Sequence, residues 1–142
     1  MKEDELFLID TNIIVYAYES IESERKNKSL KILEKCYNGE ITLAVSNQNL
    51  AELSAVLLKK IKIEADEVKE IVRDISDFQG FKKINYSKET IISAIDIAEK
   101  NKMSFWDSLI VATMIENSIL NIYTENLKDF KVPSLNAVNP LS

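Results

Sequence analysis

The chain has 142 residues, 46% of them hydrophobic and 29% charged, with a formal charge of −5; this is the make-up of one globular domain that can bury a core without disulfides. Histidine is absent, cysteine occurs once and glycine twice, which excludes Ser-His-Asp and Cys-His catalysis, histidine acid/base chemistry, thiolate zinc clusters, phosphate-cradling glycine loops and dinucleotide fingerprints. Oxygen ligands and a hard cation remain as the route to chemistry, while the acidic balance argues against nucleic-acid binding over the whole surface.

In chain order, residues 5–10 read as a short buried strand, and Asp10-Thr11-Asn12 offer capping oxygens to a helix expected to begin at Ile13. The acidic start Met1-Lys2-Glu3-Asp4-Glu5 is unlike a signal peptide, and no apolar run nears the roughly 18 residues of a membrane span, so no membrane association and a cytoplasmic location are expected. A second helix is predicted over 24–37, stopped by Asn38-Gly39, with Cys36 spaced from Leu30 and Leu33 as a core thiol. Residues 41–45 are strand-like, and Ser46 or Asn47 can cap a helix running to about Lys60.

Val68, Ile71, Val72, Ile75 and Phe78 form one apolar stripe, which makes 65–78 the clearest helix, ended by Gly80. A short strand is expected over 83–86, then a helix capped by Ser87 and another starting at Ser104, apolar enough from Leu109 to Ile115 to be central. Strands over 120–124 and within 135–139 complete the series. Strands alternating with helices predict an α/β fold: a single domain, 1–142, with a mainly parallel central sheet and helices on both faces. Such sheets bind ligands at the carboxyl ends of their strands, where Asp10-Thr11-Asn12 and Thr124-Glu125-Asn126 both fall. Basic clusters at Arg25, Lys26, Lys28 and Lys31, at Lys59, Lys60 and Lys62, and at Lys82 and Lys83 read as solvated ends of elements.

Three acids stand in apolar settings: Asp10 after Leu6-Phe7-Leu8-Ile9, Glu52 between Ala51 and Leu53, and Asp107 between Trp106 and Ser108-Leu109. Buried carboxylates need a partner, a hydrogen bond or a metal. Each also has a plain structural account. Asp10 can be a helix cap, Glu52 a surface residue at the edge of an amphipathic stripe, and Asp107 the return half of a capping box with Ser104. Taken together they fall where a doubly wound sheet brings a strand end and helix N-termini together, and a shared cation would relieve their mutual repulsion.

The ordered motifs Ile9-Asp10-Thr11-Asn12, Asn49-Leu50-Ala51-Glu52-Leu53, Phe105-Trp106-Asp107-Ser108-Leu109-Ile110-Val111-Ala112 and Tyr123-Thr124-Glu125-Asn126-Leu127 resemble those of PIN-domain nucleases, and small single-domain members of this kind resemble VapC-type toxins. The resemblance implies a Mg²⁺- or Mn²⁺-dependent endoribonuclease, a homodimer, neutralised by a small antitoxin. Asp10, Glu52 and Asp107 match the acidic core that would hold the metal and carry catalysis, with Thr11, Asn12, Thr124 and Asn126 in support. Asn126 departs from the family's Thr-x-Asp pattern, and Glu125 or Asp129 is the acid that can compensate. The implied reaction is in-line attack of a metal-activated water on a phosphodiester, leaving a 5′-phosphate and a 3′-hydroxyl.

Rival readings are a catalytically silent PIN-like binding module, a PIN nuclease of RNA processing, and a phosphoryl-transfer or receiver domain built on Asp10. The last is disfavoured because position 12 is Asn and Lys128 is poorly placed. Val56, Leu57, Leu58, Ile61 and Ile63 exceed what one helix face needs to bury and mark a possible partner surface.

Overall fold

The computed structural model describes residues 6–142; the acidic Met1–Glu5 segment, and with it the first residue of the expected strand, lies outside them. Its first strand, β1, is Phe7–Ile9, and α1 follows at Thr11–Tyr16. The helix thus starts two residues before the expected Ile13, because Asp10 itself is the N-cap, accepting from Thr11 N–H; Asn12 is exposed rather than capping. Helix α2 is Glu24–Tyr37, β2 Leu43–Ser46 and α3 Asn47–Val56, whose path continues through a wide π-type turn, Leu57–Ile61. Helix α4 is Ala65–Asp77 and β3 is Phe81–Ile84. The expected strand at 83–86 therefore lies two residues early: Phe81 and Ile84 are the buried positions, and Asn85 and Tyr86 are exposed beyond the strand. Then come α5 (Lys88–Asn101), α6 (Phe105–Glu116), β4 (Asn121–Tyr123), a 3₁₀ turn (Leu127–Phe130) and β5 (Asn136–Val138).

All strand pairs are parallel, in the order β3-β2-β1-β4-β5. Period-two alternation sorts the side chains into two cores. Ile9, Leu43, Val45 and Phe81 face one side, where α1 to α4 cover them with Ile13, Leu33, Leu53 and Ile71. Leu8, Ala44, Ile84 and Ile122 face the other, against Ile110, Val111 and Met114 of α6. Helix α5 packs on the outside of α6 through Ala94, Leu109 and Ala112, so α6 is buried from Ser108 to Met114, as its uniform hydrophobicity predicts.

The register Ile9↔Tyr123 is fixed by the stacked rings of Phe7 and Tyr123, 4.1 Å apart, and sets the residues after β1 and β4 side by side. Cys36 is buried, donates to Gly80 C=O at 3.4 Å and has its pKa raised by burial, as a core thiol should. The expected partner surface after α3 is largely absent: Leu57 is fully buried, Val56, Ile61 and Ile63 pack against the first core, and only Leu58 stands out.

Candidate active site

The chain order reverses at β1, with β2 on one side and β4 on the other, and the crevice beyond these strand ends is where an open parallel sheet receives its ligand. Asp10 leaves β1 into this crevice. Its Oδ1 accepts from Thr11 N–H at 2.9 Å and its Oδ2 from the Thr124 hydroxyl at 2.8 Å, while its own N–H donates to Tyr123 C=O. Thr124 Oγ1 in turn accepts from Asn126 N–H at 3.0 Å, so Asn126 contributes its backbone while its side chain is exposed.

Glu52 comes from the second turn of α3. The Thr11 hydroxyl donates to its Oε1 at 2.9 Å and Gln48 Nε2 to its Oε2 at 3.1 Å. Asn49 Nδ2 donates to Thr11 Oγ1 at 3.0 Å, and Asn49 Oδ1 accepts from both the N–H and the hydroxyl of Ser46, closing a capping box. Gln48 Nε2 also donates to Trp106 C=O at 3.0 Å, tying α3 to the first turn of α6. Asp107 sits in that turn, its N–H donating to Ser104 Oγ at 3.1 Å. The cap predicted for Ser104 is present, yet it occupies the backbone of Asp107, and Ser104 also acts on the carboxylate, favouring its charge.

Burial raises the pKa of Asp10 above its ordinary 3.8; the bonds from Thr124 and Thr11 oppose this, and the charges of Asp107 and Glu52 add to it. Burial also raises Asp107, against Ser104, with the charges of Asp129 and Glu52 adding. The three acids therefore share one electrostatic environment, and Asp129 joins it from the 3₁₀ turn. Of the two acids that stand near Asn126, Glu125 is turned elsewhere: Tyr16 donates to it in a very short hydrogen bond, and the phenol is pushed up to about 12, by burial first and by Glu125 next. The Arg25 guanidinium lies 4.1 Å over the Tyr16 ring and is paired with Glu19.

Among the described residues, no three acidic or cysteine side chains are gathered tightly enough to form a ready-made metal cage. Each carboxylate is turned onto its own donors instead. The donor set nevertheless suits Mg²⁺, which keeps several waters and takes one or two carboxylates directly. Beside Asp107 a hollow of about 150 Å³ is rimmed by Ser104, Asp129, Lys102, Lys128 and Lys131. Lys102 ends α5 while Lys128 and Lys131 belong to the 3₁₀ turn and its end, and none of the basic clusters singled out in the sequence includes them.

Sequence reading singled out Asp10, Thr11, Glu52, Asp107 and Thr124; hydrogen bonds link Thr124 to Asp10 and Thr11 to both Asp10 and Glu52, while Asp107 is near enough for its charge to act on Asp10. It missed Gln48 and Asn49, although both carry a signal: Gln48 lies one helical turn before Glu52, and Ser46-x-x-Asn49 has the capping-box spacing with an amide for the acid. Asn12 is exposed, and nothing joins it to the cluster.

A parallel sheet that carries Asp10 after β1, Glu52 on α3 and Asp107 on α6 around its switch point is the frame of a nuclease domain. The chain belongs to the PIN-domain family, a family of nucleases, whose sequence profile matches residues 7–132. No curated protein sequence matches it. Its fold is similar to that of a toxin-antitoxin complex from Klebsiella pneumoniae, with TM-score 0.67, 21% identity and coverage of 94% of this chain and 97% of that one. It is also similar to VapC20 of Mycobacterium tuberculosis, a sarcin-ricin loop cleaving toxin, at TM-score 0.67, 14% identity and 87% and 92% coverage. VapBC2 from Rickettsia felis, bound to a promoter DNA fragment, gives 0.66, 22%, and 94% and 98%.

Proposed function

We propose that the protein is a Mg²⁺- or Mn²⁺-dependent endoribonuclease and the toxin of a toxin-antitoxin pair, acting in the cytoplasm as a homodimer until a small antitoxin neutralises it. The observation that carries the chemistry is the hydrogen-bonded frame in which Thr11 touches both Asp10 and Glu52 and Gln48 ties Glu52 to the turn that bears Asp107, with the pKa of Asp10 and of Asp107 raised from its ordinary value, by burial first. Carboxylates that repel one another in a partly buried crevice subtract from stability, and such a cluster fits a site that a cation completes. The toxin reading is supported by the likeness in fold to toxins of such pairs over almost the whole chain.

Asp10, Glu52 and Asp107 would hold the ion, which supplies an activated water and neutralises charge on the phosphoryl oxygens. The chain's own contribution is orientation. Thr124 and the Thr11 N–H fix both oxygens of Asp10, and Thr11 and Gln48 fix both oxygens of Glu52. Carboxylates held in one rotamer lose little freedom when substrate arrives, which is what positioning requires. Lys102, Lys128 and Lys131 offer positive charge for the phosphates of a strand entering beside Asp107. Products would carry a 5′-phosphate and a 3′-hydroxyl.

Incubation of the purified protein with single-stranded and structured RNA, with and without Mg²⁺ or Mn²⁺, tests this. Cleavage that persists in EDTA and in Asp10→Asn would overturn it. One observation favours a second reading, a catalytically silent module: Asn126 brings a neutral amide to the Thr-x-Asp position. That module would show no stabilisation by either ion.

A further inference from the structure

The acidic crevice continues along α3 into a hollow of about 530 Å³ lined by Asn47, Gln48, Glu52, Asn85, Tyr86 and Trp106. Two of its walls are aromatic and out of place in a soluble domain. Trp106 is 60% exposed at the start of a helix that is otherwise buried from the next turn onward, and Tyr86 is 37% exposed just beyond β3. A tryptophan is ordinarily among the most covered side chains; here Phe105 makes the contact to α5 and Trp106 packs edge-on against Phe105 at 5.2 Å, leaving most of its own surface exposed. The remaining walls are the amides Asn47, Gln48 and Asn85, the carboxylate Glu52, and the small apolar Ala51 and Ala55. Gln48 cannot turn, because its Nε2 donates at once to Glu52 Oε2 and to Trp106 C=O, and this leaves Oε1 buried with no hydrogen-bond partner.

We propose that this hollow is a subsite for one unpaired nucleobase, stacked on Trp106 and Tyr86 and read at its edge by the amides of Gln48, Asn47 and Asn85. The assignment rests on the nuclease reading, since it takes Glu52 as the shared wall between base and reacting phosphate. Flat aromatic faces accept any base, amides discriminate its edge, and an acceptor without a donor at the same wall suits a base amino or ring N–H group. Ala51 and Ala55 floor the hollow with apolar surface, while Asn47, Gln48, Glu52 and Asn85, four of its eight lining residues, supply the hydrogen-bonding edge that a base uses; a polypeptide is the other occupant, which the test below separates. Cleavage would then be confined to strands with at least one splayed base beside the scissile bond. Paired RNA presents its bases stacked on one another and would be refused.

Trp106 is the sole tryptophan, so its fluorescence reports the subsite directly. In EDTA, where a strand stays intact, the full chain is titrated with a short single-stranded RNA, the same sequence in DNA, a duplex, and an abasic strand of equal length. Quenching by either single strand, with the duplex and the abasic strand leaving the emission unchanged, is the expected result, and the RNA and DNA arms identify which sugar the site prefers. Binding of labelled RNA, followed by anisotropy, should weaken by about 5- to 150-fold in Trp106→Ala and stay within a few-fold in Trp106→Phe. Tyr86→Ala gives the same direction of change should Trp106→Ala fold poorly. Quenching that the abasic strand reproduces, or that only a polypeptide elicits, overturns the assignment. Cleavage with Mg²⁺ but no base-dependent quenching would sink the subsite and leave the nuclease standing; quenching without cleavage would do the reverse.

Discussion

Asp10→Asn is informative on stability before any turnover is measured. The net effect of folding on Asp10 is to raise its pKa, with burial the largest cause and the charges of Asp107 and Glu52 adding to it. Ionised Asp10 is therefore worse off in the folded protein than in the unfolded chain, and at neutral pH this subtracts from stability. A neutral amide removes that burden, still accepts from Thr11 N–H, and can donate to Thr124 Oγ1. Metal-free Asp10→Asn should thus melt above the wild type at pH 7. The ion reverses the ranking. At 100 times its dissociation constant a ligand adds about 2.7 kcal/mol to a native state that binds it. With about 2.1 cal/mol/K of unfolding entropy per residue, 142 residues give about 0.3 kcal/mol/K, so the wild type should gain about 9 °C on saturation with Mn²⁺. The variant should gain almost nothing. Differential scanning calorimetry at pH 7, with EDTA and with Mn²⁺, reads all four values. An Asp10→Asn protein that melts below the wild type without metal, and is stabilised equally with it, would refute the reasoning.

The same two raised carboxyls predict that metal-free stability declines as pH rises from about 4 through their folded pKa values, since the native protein then holds protons that the unfolded chain has released; saturating Mn²⁺ should flatten the slope in a melting series. Thr11→Val leaves Glu52 Oε1 and Asn49 Nδ2 without their shared partner, at about 2 kcal/mol, and should lower Tm by about 6–7 °C as well as reducing cleavage. Asp107→Asn keeps the backbone bond to Ser104 and should abolish cleavage while moving Tm by less than about 3 °C; a larger fall would mark the side chain as structural. Tyr16 should ionise near 12 in a spectrophotometric titration, and Glu125→Gln should bring it down without altering metal-induced stabilisation, because Glu125 serves Tyr16 and not the acidic crevice.

The fold was legible wherever one element faces one environment. The 3.6-residue stripe of α4 and the apolarity of α6 appear in the structure as a one-sided helix and one wrapped from Ser108 to Met114, with Ile115, expected to be central, exposed at its end. Boundaries failed where chemistry outweighs pattern. Asp10 serves as cap and site residue at once, so the run of capping residues hid the start of α1. Lys62 and Lys102 end their helices in the left-handed region, at φ of 65° and 56°, where a glycine signal would be expected and none occurs. Beyond β3, Asn85 and Tyr86 read as strand because tyrosine favours strands, but they line the hollow beside Glu52. Acids in apolar settings were enough to single out the three carboxylates proposed for the site. The amides were not, because Gln48 and Asn49 are ordinary helix residues until tertiary contact gives them Glu52, Thr11 and Trp106.

The bond between Thr124 and Asp10 spans 114 positions of the chain. One of the two bonds that orient the first aspartate is therefore missing from a nascent polypeptide until Thr124 has emerged from the ribosome, while the bond from Thr11 is local. A copy truncated before Thr124 would keep the Thr11 hold on one oxygen of Asp10 and lose the hold on the other.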